Sequence, residues 1–492
     1  MEDQNASDLI NFLYEDKKLL ESIDDQIKSN NHPSNKEEYT KIQKIQTIML
    51  NRTDEDFKQN FIPRFMAIGP VHYGNTHLVN KRLKISLAAK FIGKSKGMSE
   101  QLLGKIKANI KELEDHFHAN VNKYRKEDAL ARILFRDGLS VLQFIHCVVR
   151  KDFSGIEINN GQVVLFQNDL FLLENQIPFK VFKLLMEPPM NEEMCKPYKE
   201  SLRLFIINHL MEPNSSSPKV LLEDEWYDKI KPAHLLDLLR IAFLDDMSTT
   251  KSSSEPSHET SPHNQRSAYC NIVRDKLTLL MTRLNERITV LKGSTCTKTS
   301  PGNNQRTFRN VQDLKAAGIR MKPSNTLRLK DLSFQPGCWR GTLKLRSLTV
   351  NESTELKLFN LVAYEMCGDH NNKNECGVTS YVSFLDLLIE NEQDVKDLRS
   401  ANILHNCLSS DVQVVDLFDK IGNIYNLVPH DDYYKEVKNQ IQEHCKKNIN
   451  VWFTQICENY FSSPLKVMAW VGAIVALLLT AFGTWFTIYP TD

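Results

Sequence analysis

Residues 467–489, VMAWVGAIVALLLTAFGTWFTIY, run for 23 positions without a charged side chain. As a helix rising 1.5 Å per residue, such a run spans about 34 Å, enough for a hydrocarbon core of about 30 Å. Trp470 lies near one end, and Trp485 and Tyr489 near the other, where interfacial aromatic residues sit. A buried core helix is the competing reading, but one this long without a charge would be unusual. The run therefore predicts a C-terminal single-pass transmembrane helix. Lys446, Lys447 and Lys466 precede it and no Lys or Arg follows, so the positive-inside bias places the long N-terminal part in the cytosol. With only Pro490, Thr491 and Asp492 beyond the run, the expected arrangement is tail-anchored. The plasma membrane and the endoplasmic reticulum both fit.

The remainder reads as globular. Hydrophobic residues make up 41% and charged residues 25%, as in ordinary folded domains. Sixty-two Lys+Arg stand against 61 Asp+Glu, a net charge of +1, which argues against a generic nucleic-acid binder. A mean hydropathy of −0.38 excludes a polytopic membrane protein but not one span. The 10 cysteines include no CxxC, and the acidic start Met1-Glu2-Asp3 is not followed by an apolar run. That pattern lacks a secretory signal and leaves reduced cytosolic thiols as the expectation.

The pattern predicts a mainly α architecture: a multi-helix cytosolic body over 46–463 with a small antiparallel β-hairpin. Residues 1–45 read as a mobile polar arm. Residues 248–266, STTKSSSEPSHETSPHNQR, hold no large apolar side chain and read as a disordered insert, with a second loop at 294–305. Ser353 or Thr354 is expected to cap a helix that turns Leu356, Phe359, Val362, Ala363 and Met366 inward. Thr379 is expected to cap the next. Ser410 or Asp411 caps a third, which Gly422 ends. Leu235 to Leu244 is a further apolar helix. Alternation in Leu327-Arg-Leu-Lys and Thr342-Leu-Lys-Leu-Arg, around Gln335-Pro336-Gly337, places the hairpin at about 327–346. Over 431–461 an apolar stripe predicts one long helix. It docks on the body or self-associates as a short coiled coil.

Chemistry is sparse. No phosphate-binding, dinucleotide, nucleophile-elbow or zinc-protease motif occurs, and no cofactor is called for. His116 and His118 have no ligand set at useful spacing, and Cys367, His370 and Cys376 lack a fourth zinc ligand. Two stretches stand out. Ile68-Gly69-Pro70-Val71-His72-Tyr73-Gly74 concentrates turn formers, and its glycines suit positive φ or close backbone approach. His72 is either a turn residue bonded to backbone, or a ligand or base. Asn168 to Phe179 sets Glu174, Asn175 and Gln176 between two apolar runs, with Pro178 suited to the start of a helix. Leu172 and Leu173 are expected to close one helix, and Phe179 and Phe182 to open the next. The polar triplet is either a buried helix junction or a carboxamide-lined ligand site.

These two stretches occur in order with His234-Leu-Leu-Asp-Leu-Leu-Arg240 and Asp313-Leu-Lys-Ala-Ala-Gly-Ile319. Thr354 to Glu365, Val378 to Leu388 and Tyr460-Phe-Ser-Ser-Pro464 complete the series. The ordered set, and LLENQIPF above all, resembles the plant DUF247 family, also called UPF0481, from about Ile45 onward. Two departures are visible. Val71-His72-Tyr73 stands where the family commonly shows Tyr-His-His, and Leu139 and Ser140 stand where a cysteine often follows the glycine. The resemblance implies a membrane-anchored plant protein. Some members are linked to pollen–stigma self-incompatibility in grasses, a recognition role. The function expected is thus protein interaction, recognition or scaffolding, with protein partners, membrane contact through the C-terminal helix and no nucleic acid. The alternative is an enzyme whose pocket is lined by His72, Glu174, Asn175 and Gln176.

Overall fold

The computed structural model describes residues 42, 44–45, 58–75, 78, 80–93, 97–117, 127–188, 190, 192–210, 231–244, 310–324, 328–337, 340–367, 376–425, 433–446, 472–473, 475–480 and 484. Contacts divide the chain into Met1–Thr40 and Lys41–Asp492, and everything described lies in the second unit. The insert at 248–266 and the loop at 294–305 lie outside the described residues, as does the arm except for Ile42, Lys44 and Ile45.

In chain order, a 3₁₀ turn (Gln59–Phe61) precedes α1 (Lys81–Ile92), α2 (Met98–Ala108), α3 (Ile110–Asp115), α4 (Glu127–Arg150), α5 (Asn160–Asp169), α6 (Phe179–Leu185) and α7 (Glu192–Asn208). Then come α8 (Leu235–Leu244), α9 (Val311–Ala316), β1 (Ile319–Pro323), a 3₁₀ turn (Leu329–Asp331), β2 (Ser333–Gln335), β3 (Gly341–Leu345) and β4 (Leu348–Val350). The rest is α10 (Glu352–Cys367), α11 (Gly377–Leu388), α12 (Glu392–Ser400), β5 (Leu404–Asn406), α13 (Asp411–Tyr425) and α14 (Lys435–Lys446).

Helix α4 is the axis of the N-terminal half. Its apolar residues recur on more than one face, with Leu130, Leu134, Val141, Phe144 and Ile145 all buried. A helix apolar on several sides must be wrapped, and α1, α2, α6 and α7 wrap it. In the C-terminal half α10 and α11 fill the same role. Leu356, Phe359, Val362, Ala363 and Met366 of α10 are buried as expected, while α11 packs against α8, α10 and α13. One continuous core runs from Ile42 to Ile441.

Local signals place the helix starts with small shifts. Asn351, two residues before Ser353, caps α10: its Oδ1 accepts the Ser353 amide at 3.0 Å. Ser410 caps α13 by accepting the Gln413 amide at 3.4 Å. Helix α11 starts at Gly377, two residues before Thr379. Its first turn is held by Glu365 of α10, whose carboxylate accepts the amides of Val378 (3.2 Å) and Thr379 (2.8 Å). Arg240 of α8 donates to the same carboxylate at 2.9 Å. Gly422 does not end its helix. It sits inside α13, where the Asp386 carboxylate lies against it and would meet any Cβ.

The fold class needs two corrections. The expected hairpin is a mixed three-stranded sheet in the order β1-β3-β2, with β1 parallel and β2 antiparallel to β3. Leu329 and Leu332, three residues apart and both buried, follow a 3₁₀ rather than a strand period. A second, parallel pair joins β4 to β5. The larger correction concerns 467–489. Among the described residues no helix is long and apolar enough to cross a membrane, which overturns the expected span. The longest described helical stretch there, 475–480, rises about 9 Å, against a hydrocarbon core of about 30 Å. Its residues are exposed. Of the stripe over 431–461, the described part turns Tyr434 and Ile441 into the body, and the Tyr434 hydroxyl donates to Leu329 O at 2.7 Å.

Candidate functional site

The two unusual stretches meet. Residues 64–69 pass from the surface at Arg64 into the core at Met66 without regular structure, so their backbone groups need partners other than a helix or sheet ladder. Side chains from α4, α5 and the turn after α5 provide them. Asp169, the last residue of α5, accepts the amides of Arg64 (2.9 Å), Phe65 (2.8 Å) and Met66 (2.7 Å). Asn175 accepts the Ile68 amide at 2.6 Å and donates to Met66 O at 3.0 Å and Asp169 O at 2.8 Å. Asp137 of α4 accepts the Gly69 amide at 3.0 Å. Gly69 is required here: its φ is 72°, and a Cβ would lie 2.5 Å from Gln176 O.

Beneath this segment lies a buried ion pair. Lys84 of α1 donates to Asp137 Oδ1 at 2.7 Å and to Ala67 O at 2.6 Å, with both charged side chains at most 1% exposed. Arg136 donates to the same Asp137 oxygen at 3.0 Å, and its guanidinium lies 5.5 Å from the Tyr73 ring centroid. Burial pulls Lys84 below the ordinary lysine value, and the Asp137 carboxylate opposes it. Burial pushes Asp169 up to about 6, against the three amides that favour its ionised form.

The rest of the polar triplet divides. Gln176 is buried, donates to Leu170 O and Leu172 O, both at 2.8 Å, and accepts the Leu236 amide of α8 at 3.3 Å. Pro178 is the N-cap of α6, and the Phe179 amide donates to Ala233 O at 2.8 Å. The preceding helix ends at Asp169, short of Leu172 and Leu173, because the 170–178 turn uses side chains to satisfy itself. Glu174 alone reaches the surface. Its Oε1 accepts the Ile45 amide at 3.0 Å, and its Oε2 lies 3.9 Å from His72 Nε2, with side chains 20% and 18% exposed. Pro70 is buried and its carbonyl accepts the Tyr73 amide at 3.3 Å, which closes the turn that presents His72; Gly74 lies exposed in that turn.

A cavity beside Asn175 and Gln176 has a volume of about 10 Å³, room for one water at most. A groove of about 360 Å³ lies elsewhere, lined by Asn351, Glu355, Cys407, Ser409, Asp416 and Lys420, none of which motif reading singled out. His116 is buried, with Nδ1 2.8 Å from Glu112 O. Cys367 and Cys376 are half-buried, while His118 and His370 lie outside the described residues. Sequence reasoning missed Asp137 and Lys84. The signal for Asp137 was a charge set between Leu134 and Val141 on an apolar helix.

A mainly helical body whose signature polar residues bind its own irregular backbone defines the class: a helical domain built around a side-chain-buttressed loop. The match to the DUF247 family, described as plant protein of unknown function, covers residues 44–479, and the chain belongs to that family. It is 26% identical over 435 residues to the UPF0481 protein At3g47200 of Arabidopsis thaliana, covering 85% of this chain and 80% of that one. It is 25% identical over 175 residues to the putative UPF0481 protein At3g02645 of the same plant, covering 36% and 32% of the two chains. No solved structure matches.

Proposed function

We propose that the chain is a protein-interaction or recognition scaffold, and that its signature residues serve the fold rather than catalysis. One observation carries this reading: Asp137, Asp169, Asn175 and Gln176 are buried with their hydrogen bonds committed to the chain's own backbone and, for Asp137, also to Lys84 and Arg136. Groups so committed have no donor or acceptor to offer a substrate without breaking the loop they hold. The partners are proteins, recognised on the outer surface of the helical body.

The second reading is an enzyme with a pocket around His72 and Glu174–Gln176. The paired, partly exposed His72 and Glu174 favour it. The two readings separate on Glu174. In a scaffold, Glu174→Ala orphans the Ile45 amide and costs on the order of 1–3 kcal/mol, while Glu174→Gln keeps an acceptor and costs less. Capture of a protein partner by the full chain then falls in step with stability. Wild-type melting by both variants, with turnover of a substrate abolished, refutes the scaffold and establishes the enzyme.

A further inference from the structure

We propose that Ile42, Lys44 and Ile45 belong to a proton-released strap: a proton on His72 competes with the Ile45 amide for the Glu174 carboxylate and frees the strap from the body. The strap is held mainly through its backbone. The Ile42 amide donates to His116 O at 2.7 Å, and Ile42 forms an isolated parallel bridge with Phe117. The Ile45 amide donates to Glu174 Oε1 at 3.0 Å, and the Cys367 thiol donates to Lys44 O at 3.3 Å. Ile42 and Ile45 are buried and Lys44 is exposed. Among the described residues the segment is held by these three hydrogen bonds and two buried side chains, outside any helix or extended sheet, and such a segment belongs to the part of a fold that opens locally, well below global unfolding.

His72 sits at the Ile45 anchor, where an imidazole can titrate near neutrality, while at the Ile42 anchor His116 meets the strap through its backbone carbonyl. Its Nε2 is buried, makes no hydrogen bond, and lies 3.9 Å from Glu174 Oε2, outside hydrogen-bonding reach. A protonated imidazole has donors on both nitrogens, so a proton at Nε2 turns an idle atom into a charged donor aimed at Glu174. The carboxylate then has two claimants, and drawing it toward His72 draws it away from Ile45.

Among the described residues, the charged groups that face His72 are Glu174, from the turn after α5, and Lys44, from the strap itself. Burial holds His72 below its ordinary value, Lys44 adds to this, and Glu174 opposes both. Undocking the strap removes Lys44 and part of the burial, so the released state binds the proton more readily. The sign follows: well above the ordinary histidine value both states are neutral and docking is unaffected. Below it the released state takes up protons first and docking weakens.

The test is amide hydrogen exchange on the full chain, normalised to intrinsic rates, at about pH 7.5 and about pH 5.5, either side of the ordinary histidine value. Protection at Ile42 and Ile45 is expected to fall by up to about tenfold per pH unit, the limit for one linked proton, while core amides of α4 do not follow. His72→Gln is expected to hold protection at its neutral-pH level throughout. Unchanged protection in the wild type, or the same fall in His72→Gln, overturns the proposal. Should that variant fail to fold, the His72 ring resonance in the wild-type chain decides. Its titration midpoint coincides with the loss of strap protection if the strap is proton-released, and a separate midpoint overturns it.

Discussion

Replacing Asn175 tests the buttressed loop most directly. Its carboxamide makes three hydrogen bonds, to Ile68 N (2.6 Å), Met66 O (3.0 Å) and Asp169 O (2.8 Å), and is 1% exposed. Each such bond contributes about 1 kcal/mol net, and an orphaned buried amide costs about 1–3 kcal/mol. Asn175→Ala removes all three partners at once, so the expected loss is about 3–5 kcal/mol. That is a large share of the 5–15 kcal/mol by which folded domains typically exceed their unfolded chains. Asn175→Asp keeps the acceptor for Ile68 but turns an oxygen toward two carbonyls, and is expected to be worse at neutral pH. Its carboxyl is then held above the usual range, because only the protonated form can donate to a carbonyl. A raised carboxyl value gives stability that is present at low pH and lost as pH rises through it. Thermal melts of wild type and both variants, at neutral and mildly acid pH, read the order. Wild-type melting by Asn175→Ala, or an Asp variant that acid does not rescue relative to Ala, refutes the reasoning.

Two further outcomes are expected. Gly69→Ala destabilises by about 2 kcal/mol or more, since an L residue at φ 72° costs about 1–2 kcal/mol and its Cβ meets Gln176 O; a thermal melt equal to wild type contradicts this. Acid lowers stability through two buried histidines, because burial holds His209 down to about 3 and His234 down to about 4. Their folded values lie below the unfolded 6.5, so their contribution is complete above about pH 6.5 and is lost as pH falls toward about 4. For His234 alone this is on the order of 3 kcal/mol, at 1.36 kcal/mol per unit. Asp169 and Asp386, both raised to about 6 by burial, contribute with the opposite sign, and over this range the two histidines outweigh them. Melting temperatures measured from about pH 7 to about pH 4.5 check the slope, and a flat profile counts against it.

What the sequence determined is local or periodic. Helix α8 occupies Leu235–Leu244 because an apolar run broken only by Asp237 and Arg240 follows Pro232, and α10 turns inward the five residues its spacing names. The turn signals held in part, since Gly69 takes a positive φ, Gly74 does not, and Pro178 caps α6. What only the tertiary structure decided is whatever depends on distant partners. Leu329 opens a 3₁₀ turn that Leu332 caps, and both side chains are buried, where alternation implies a strand. Gly422 stayed helical because its missing side chain makes room for Asp386, a residue of α11. The uncharged run at 467–489 reads as a membrane span by length and polarity alone, yet among the described residues no helix is long and apolar enough to cross. The candidate site shows the division best. Motif reading brought Gly69, His72 and Glu174 to Pro178 to notice, but could not say that Asp137 and Lys84 lie beneath them. Spacing along the chain encodes which face of an element is buried. Which backbone amide a buried carboxylate will satisfy, 68 residues away for Asp137 and Gly69, is set only when the elements pack.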